Sequence, residues 1–175
     1  LEENIENEKS KKEVPAYEAA VVDDNAYFDG QIATKTISDL IELKDDGKPF
    51  LLFSGFVKPH LPFNAPKKYW DLYDPTEIKF PINKDFPSTA PKRAQTWYEL
   101  TAYKDITKNV DVEEKLAKKL IHAYYACVSY IDAQIGRVLT ALDELGLAED
   151  TIVILTSDHG FSLSEHNRWS KHSLF

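Results

Sequence analysis

Thr151-Ile-Val-Ile-Leu-Thr-Ser-Asp158-His159-Gly160 decides how this chain is read. Apolar and β-branched residues, bounded by Glu149-Asp150 on one side and Gly160 on the other, have the pattern of a buried strand over 151–157. A carboxylate and an imidazole stand together at its carboxyl end, and in open α/β sheets that edge is where ligands bind. The strand is preceded by a helical pattern from Asp111, in which Leu116, Leu120, Tyr124, Val128, Ile131, Ile135, Val138, Leu142 and Leu145 recur at steps of three or four. Gly146 is the stop, and the length of the pattern leads us to expect a break near its start.

The same order occurs once before. Ile32, Ile37, Leu40, Ile41 and Leu43 predict an amphipathic helix over 31–45, ended by Gly47-Lys-Pro49. Phe50-Leu-Leu-Phe-Ser-Gly-Phe-Val57 then predicts a second buried strand. Two helix–strand units imply an α/β fold with helices packed on a mostly parallel or mixed sheet. From Lys58 to Pro91 there are seven prolines with Phe63, Tyr69, Trp70, Tyr73 and Phe80 among them, which predicts a shaped loop without long helices or central strands. Loops of that length are functional or disordered, and the aromatic content favours function, so we take 58–110 as a substrate loop. Residues 1–15 are charged and read as solvated or disordered; 16–175 read as one incomplete domain.

Composition narrows the functional class. The chain has 175 residues, 43% of them hydrophobic, enough for a core. Its formal charge of −8 argues against nucleic acid as the main partner. No apolar run reaches the length of a membrane span. The absence of methionine and the Leu1-Glu-Glu-Asn4 start suggest a piece of a longer protein. Cys127 is the single cysteine, excludes an intrachain disulfide, and reads as a small core residue.

Three sets of residues can carry chemistry. Asp158 and His159 offer an oxygen and a nitrogen to a divalent cation, calcium or magnesium if the remaining ligands are oxygens. Lys171, after Trp169 and among His159, His166 and His172, suits a sulfate or phosphate oxygen as a point charge. Lys58-Pro59-His60-Leu-Pro62 follows the strand at 50–57, with His60 held between prolines to hydrogen-bond or protonate a leaving-group oxygen.

Together these stretches resemble the sulfatase family of the alkaline phosphatase superfamily, most closely its iduronate-2-sulfatase branch. The matching segments are 49–63, 125–137, 157–166 and Trp169-Ser-Lys171, in family order. The resemblance implies part of an alkaline-phosphatase-like α/β sandwich hydrolysing a sulfate monoester of a sulfated sugar or glycosaminoglycan. It implies Asp158 and His159 as ligands of Ca2+, with Mg2+ possible in its place, and His60 and Lys171 as catalytic groups on the sulfate. Lys58, His60, Phe161, His166 and Lys171 would meet the substrate. Localisation would be secreted, periplasmic or lysosomal, the bacterial periplasm being favoured.

The chain departs from the family pattern in two places. Leu163-Ser164-Glu165-His166-Asn167 stands where the family often reads Leu-Gly-Glu-His-Gly. No Cys/Ser-x-Pro-x-Arg motif occurs, so the formylglycine nucleophile is expected outside this chain, in the remainder of a parent sulfatase. Two other readings share the residues: a phosphodiesterase or phosphonate monoester hydrolase of the same superfamily, and a non-catalytic relative that binds sulfated glycans.

Overall fold

The computed structural model describes residues 14–91, 99–107 and 112–171. The expected solvated segment 1–15 lies outside this range up to residue 13, while Val14 and Ala16 are buried. Part of the expected substrate loop, 92–98 and 108–110, also lies outside it. The chain is mixed α/β: β1 (Tyr17–Ala20), α1 (Phe28–Asp46), β2 (Phe63–Pro66), α2 (Lys67–Trp70) and α3 (Glu114–Glu144) follow one another. β1 and β2 pair in parallel, Tyr17 opposite Phe63 and Ala20 opposite Pro66. A parallel pair cannot be closed by a tight turn, and α1 with the segment after it makes the crossover.

α1 begins at Phe28, earlier than its apolar spacing suggests, because another helix satisfies its first turn. The phenol of Tyr130 on α3 accepts from the Gly30 N–H at 2.7 Å and donates to the Asp24 carbonyl at 2.9 Å. One hydroxyl thus satisfies a helix-start donor and a turn acceptor. At the other end Gly47 takes φ 66, and its N–H donates to the carbonyls of Leu43 and Lys44.

α3 runs unbroken over 31 residues, about 46 Å at the usual helical rise. The face it buries only partly follows the apolar stripe read from sequence. Leu120 and Leu142 of that stripe are buried, but so are Ala123, Cys127, Tyr130 and Gln134 outside it, whereas Val128 is 41% exposed. The small Ala123 and Ala126 let the helix lie close on β1 and β2. Gln134, fully buried, donates to the Asp24 carboxylate and the Tyr130 carbonyl at 3.2 Å each. Trp169, Phe63 and Leu100 complete the core with no exposed surface. Cys127 lies there too, and burial pushes its thiol up to about 12, which makes it inert packing rather than a nucleophile.

Two expectations are corrected. The proline-rich segment does contain a strand, β2, all four of whose residues are buried. A two-stranded pair leaves each strand a free edge, and a proline at a strand end is tolerated there. The apolar runs 50–57 and 151–157, by contrast, are neither strands nor buried. Leu51, Phe53, Ile152 and Ile154 are 80% to 89% exposed. Among the described residues no backbone-to-backbone hydrogen bond is made by 50–56 or 152–160. A strand exists only with a neighbour to pair with, and apolar sequence alone does not supply one.

Candidate active site

The loop carrying His60 is built from α1 outward. Asp29, 1% exposed in the first turn of α1, accepts from the N–H groups of Val57 and Lys58 at 2.8 and 3.0 Å. Lys58 then folds onto its own loop, its ammonium donating to the carbonyls of His60 at 3.1 Å and Pro62 at 2.8 Å. Burial holds its pKa below the ordinary lysine value. Lys58 is therefore spent on shaping the loop. His60 Nδ1 lies 2.6 Å from the Leu61 carbonyl. A carbonyl only accepts, so the proton is on Nδ1 and Nε2 presents a lone pair.

Lys171 meets that lone pair. Its Nζ is 3.0 Å from His60 Nε2 and 3.3 Å from Glu99 Oε1. The lysine follows Trp169 and Ser170, both buried, and the Ser170 carbonyl accepts from the Ser162 N–H at 3.0 Å. Residues 111 positions apart thus form one cationic group beside a carboxylate.

Asp158 and His159 form a second, open group. Their side chains are 84% and 40% exposed, with Asp158 Oδ2 3.2 Å from His159 Nε2. His159 Nδ1 donates to the Gly160 carbonyl at 2.8 Å, so in the neutral ring Nε2 turns a lone pair toward the carboxylate. Two facing lone pairs are satisfied by a shared cation or an added proton, and the pair fits as two ligands of a divalent ion. Among the described residues no third His, Cys, Asp or Glu joins them, and no hydrogen bond or ion pair links them to His60 or Lys171.

Phe161 packs edge-on to Phe63 at 5.7 Å and stacks on Tyr124 at 6.4 Å, half-buried on the core flank. His166 stitches its turn to the proline-rich segment. Its N–H donates to the Asn83 carbonyl at 2.7 Å and its Nε2 faces the Asn83 amide at 3.0 Å.

The sulfatase family profile matches residues 2–174. The chain belongs to the sulfatase family. It is 36% identical to iduronate 2-sulfatase of Mus musculus over 165 residues, 90% of this chain and 30% of that protein. To iduronate 2-sulfatase of Homo sapiens it is 37% identical over 84% of this chain and 28% of that protein. To an arylsulfatase of Clostridium perfringens it is 34% identical over 76% and 26%. The chain spans about 30% of the length of the first of these relatives. Its mixed α/β packing, with helices on a small parallel pair, is consistent with the alkaline-phosphatase-like sulfatase fold.

In this sulfatase chain the two departures in the Leu163–Asn167 turn acquire a physical meaning. Ser164 and Asn167 stand where the family pattern has glycine, and they take φ 86 and φ 52. A serine in the left-handed region costs about 1 kcal/mol. Ser164→Gly is expected to stabilise the protein by about 0.5–1 kcal/mol, read as a higher urea midpoint at unchanged slope. A lowered midpoint would show that the hydroxymethyl packs usefully. Two residues of the site escaped sequence reasoning. Asp29 lies just before the helix predicted over 31–45, and Glu99 lies in no periodic segment and in no motif.

Proposed function

We propose that this chain is part of an enzyme that hydrolyses sulfate monoesters of a sulfated sugar or glycosaminoglycan. The observation that carries the reading is the 3.0 Å contact of Lys171 with His60 in a sulfatase-family chain. An ammonium held beside an imidazole lone pair is a ready grip for a tetrahedral anion, because a sulfate oxygen can replace the lone pair as acceptor. Once Lys171 turns to sulfate, Nε2 of His60 faces the ester oxygen. With Nδ1–H still donating to Leu61, Nε2 first takes up a proton from water and then gives it to the departing alcohol. Lys58 and Asp29 keep the imidazole in place for that transfer. Phe161 and the proline-rich loop would shape the sugar pocket, and His166 would hold that loop in register.

Asp158 and His159 would hold a calcium ion, magnesium in second place, with further ligands from the remainder of the parent chain. When bound, the cation supplies charge stabilisation at the sulfate oxygens. A formylglycine from that remainder supplies the nucleophile for sulfur. The exposed apolar runs 50–57 and 151–157 support this reading, since neighbouring strands would cover them. We place the parent protein in a secreted, periplasmic or lysosomal setting, the bacterial periplasm being favoured. Among the described residues no helix is long and apolar enough to cross a membrane.

The test is turnover of an aryl sulfate. The full-length protein is expected to hydrolyse 4-methylumbelliferyl sulfate, to lose at least about tenfold of its activity to a chelator, and to regain it with Ca2+. The 175 residues alone are expected to show none. An inactive full-length protein bearing an intact nucleophile motif sinks the reading.

A further inference from the structure

Resting on that reading, we propose that Glu99 is a specificity-determining residue: its carboxylate beside Lys171 sets the site to accept a singly charged sulfate monoester and to reject a doubly charged phosphate monoester. The carboxylate oxygen is 3.3 Å from the Lys171 ammonium, and the two side chains are only 14% and 20% exposed. Burial, with a smaller contribution from the Glu99 carboxylate, pushes the Tyr103 phenol up to about 12.

The carboxylate is held by a built turn. Leu100 and Tyr103 are buried at 0% and 4% exposure. The Lys104 N–H donates to the Val14 carbonyl at 3.1 Å, and Asp105 accepts from the Ala16 N–H at 2.8 Å. These contacts tie the backbone that carries Glu99 to the start of the described chain, and the Glu99 side chain is itself only 14% exposed.

An anion held by Lys171 then sits within a few ångströms of the Glu99 carboxylate. The repulsion scales with the anion's own charge. A sulfate monoester carries one negative charge at neutral pH, and a phosphate monoester carries between one and a half and two. Tetrahedral shape, oxygen count and bond lengths are nearly shared, so charge is the property left to distinguish them. At a partly screened site each extra unit of charge near Glu99 is worth about tenfold or more in affinity.

The experiment uses the full-length protein with Glu99→Gln, which keeps shape and removes charge, and Glu99→Asp, which keeps charge. We would measure kcat/KM for 4-nitrophenyl sulfate and 4-nitrophenyl phosphate. Glu99→Gln is expected to raise the phosphate-to-sulfate ratio by about tenfold or more, and Glu99→Asp to leave it within about threefold. A merely structural role lowers both rates together and leaves the ratio unchanged; that result overturns the proposal.

A second measurement separates this inference from the sulfatase reading. Calorimetric binding of inorganic sulfate, a dianion, is compared with methyl sulfate, a monoanion. Glu99→Gln should tighten the dianion by about tenfold more than the monoanion, whether or not the wild type turns over any ester. Equal changes for both ions overturn the role of Glu99, while an inactive wild type with the expected binding shift overturns only the sulfatase reading. Should Glu99→Gln fail to fold, Glu99→Ala carries the same expectations and the same overturning results.

Discussion

Lys171→Ala in the full-length protein is expected to lower kcat/KM for an aryl sulfate by about 10²–10³-fold. Removing one preorganised donor from the site of developing charge has that magnitude in other enzymes, and here the donor is a full charge at a site only one-fifth exposed. The substitution also removes the ammonium that faces the Glu99 carboxylate at 3.3 Å, which lowers the positive charge beside the substrate anion. Lys171→Arg should recover little, because a planar guanidinium does not fit the 3.0 Å contact with His60 as a compact ammonium does. The substrate-binding and chemical steps should both suffer, so KM should rise and kcat should fall. A Lys171→Ala protein retaining more than about a tenth of the wild-type kcat/KM would take the lysine off the sulfate.

Gly30→Ala is expected to be the most damaging single methyl group in the chain, destabilising it by about 3 kcal/mol or more. A Cβ built at this position lies 2.1 Å from the Asp24 carbonyl oxygen and 2.8 Å from the Asn25 nitrogen, and both are backbone atoms. Neither can move alone. The Asp24 carbonyl accepts from Tyr130, which also accepts from the Gly30 N–H, so displacing the turn orphans buried polar groups on both sides. Asp29 next door anchors the His60 loop, and the damage should reach the active site. Urea unfolding of the full-length variant gives the measurement; a midpoint equal to wild type would mean that the turn relaxes freely. Gly136, on α3 with open space around its built Cβ atom, should tolerate alanine far better and serve as the control.

The candidate site was legible in proportion to how local its signals are. His60 was visible because prolines flank it, and Lys171 because it follows an aromatic residue in a histidine-rich stretch. What no spacing showed is that the two meet, 111 positions apart. Glu99 was invisible for the same reason: a carboxylate in an aperiodic loop acquires a role only when folding sets it beside a cation. Lys58 shows the converse. The family resemblance implied a substrate contact for it, and its ammonium donates to two carbonyls of its own loop.

The fold divides along a similar line. Both long helices were readable because helical hydrogen bonds run within one segment, so periodicity and a terminal glycine suffice. The buried face of α3 was not readable in detail, because it depends on which side β1, β2 and α1 approach, and small residues such as Ala123 favour close contact over bulk. Strands are the harder case. Tyr17–Ala20 and Phe63–Pro66 carry weak apolar patterns and still pair, whereas the stronger runs at 50–57 and 151–157 stay unpaired. The sequence by itself determined the α/β character, the two helices, the family to which the chain belongs, and Asp158, His159, His60 and Lys171 as the candidates for chemistry. Only the tertiary structure decided which strands form, that Lys58 braces its own loop while Lys171 meets His60, and that Glu99 lies beside Lys171. Pairing, burial and charge compensation are properties of neighbours, and neighbours distant in sequence are chosen by the fold.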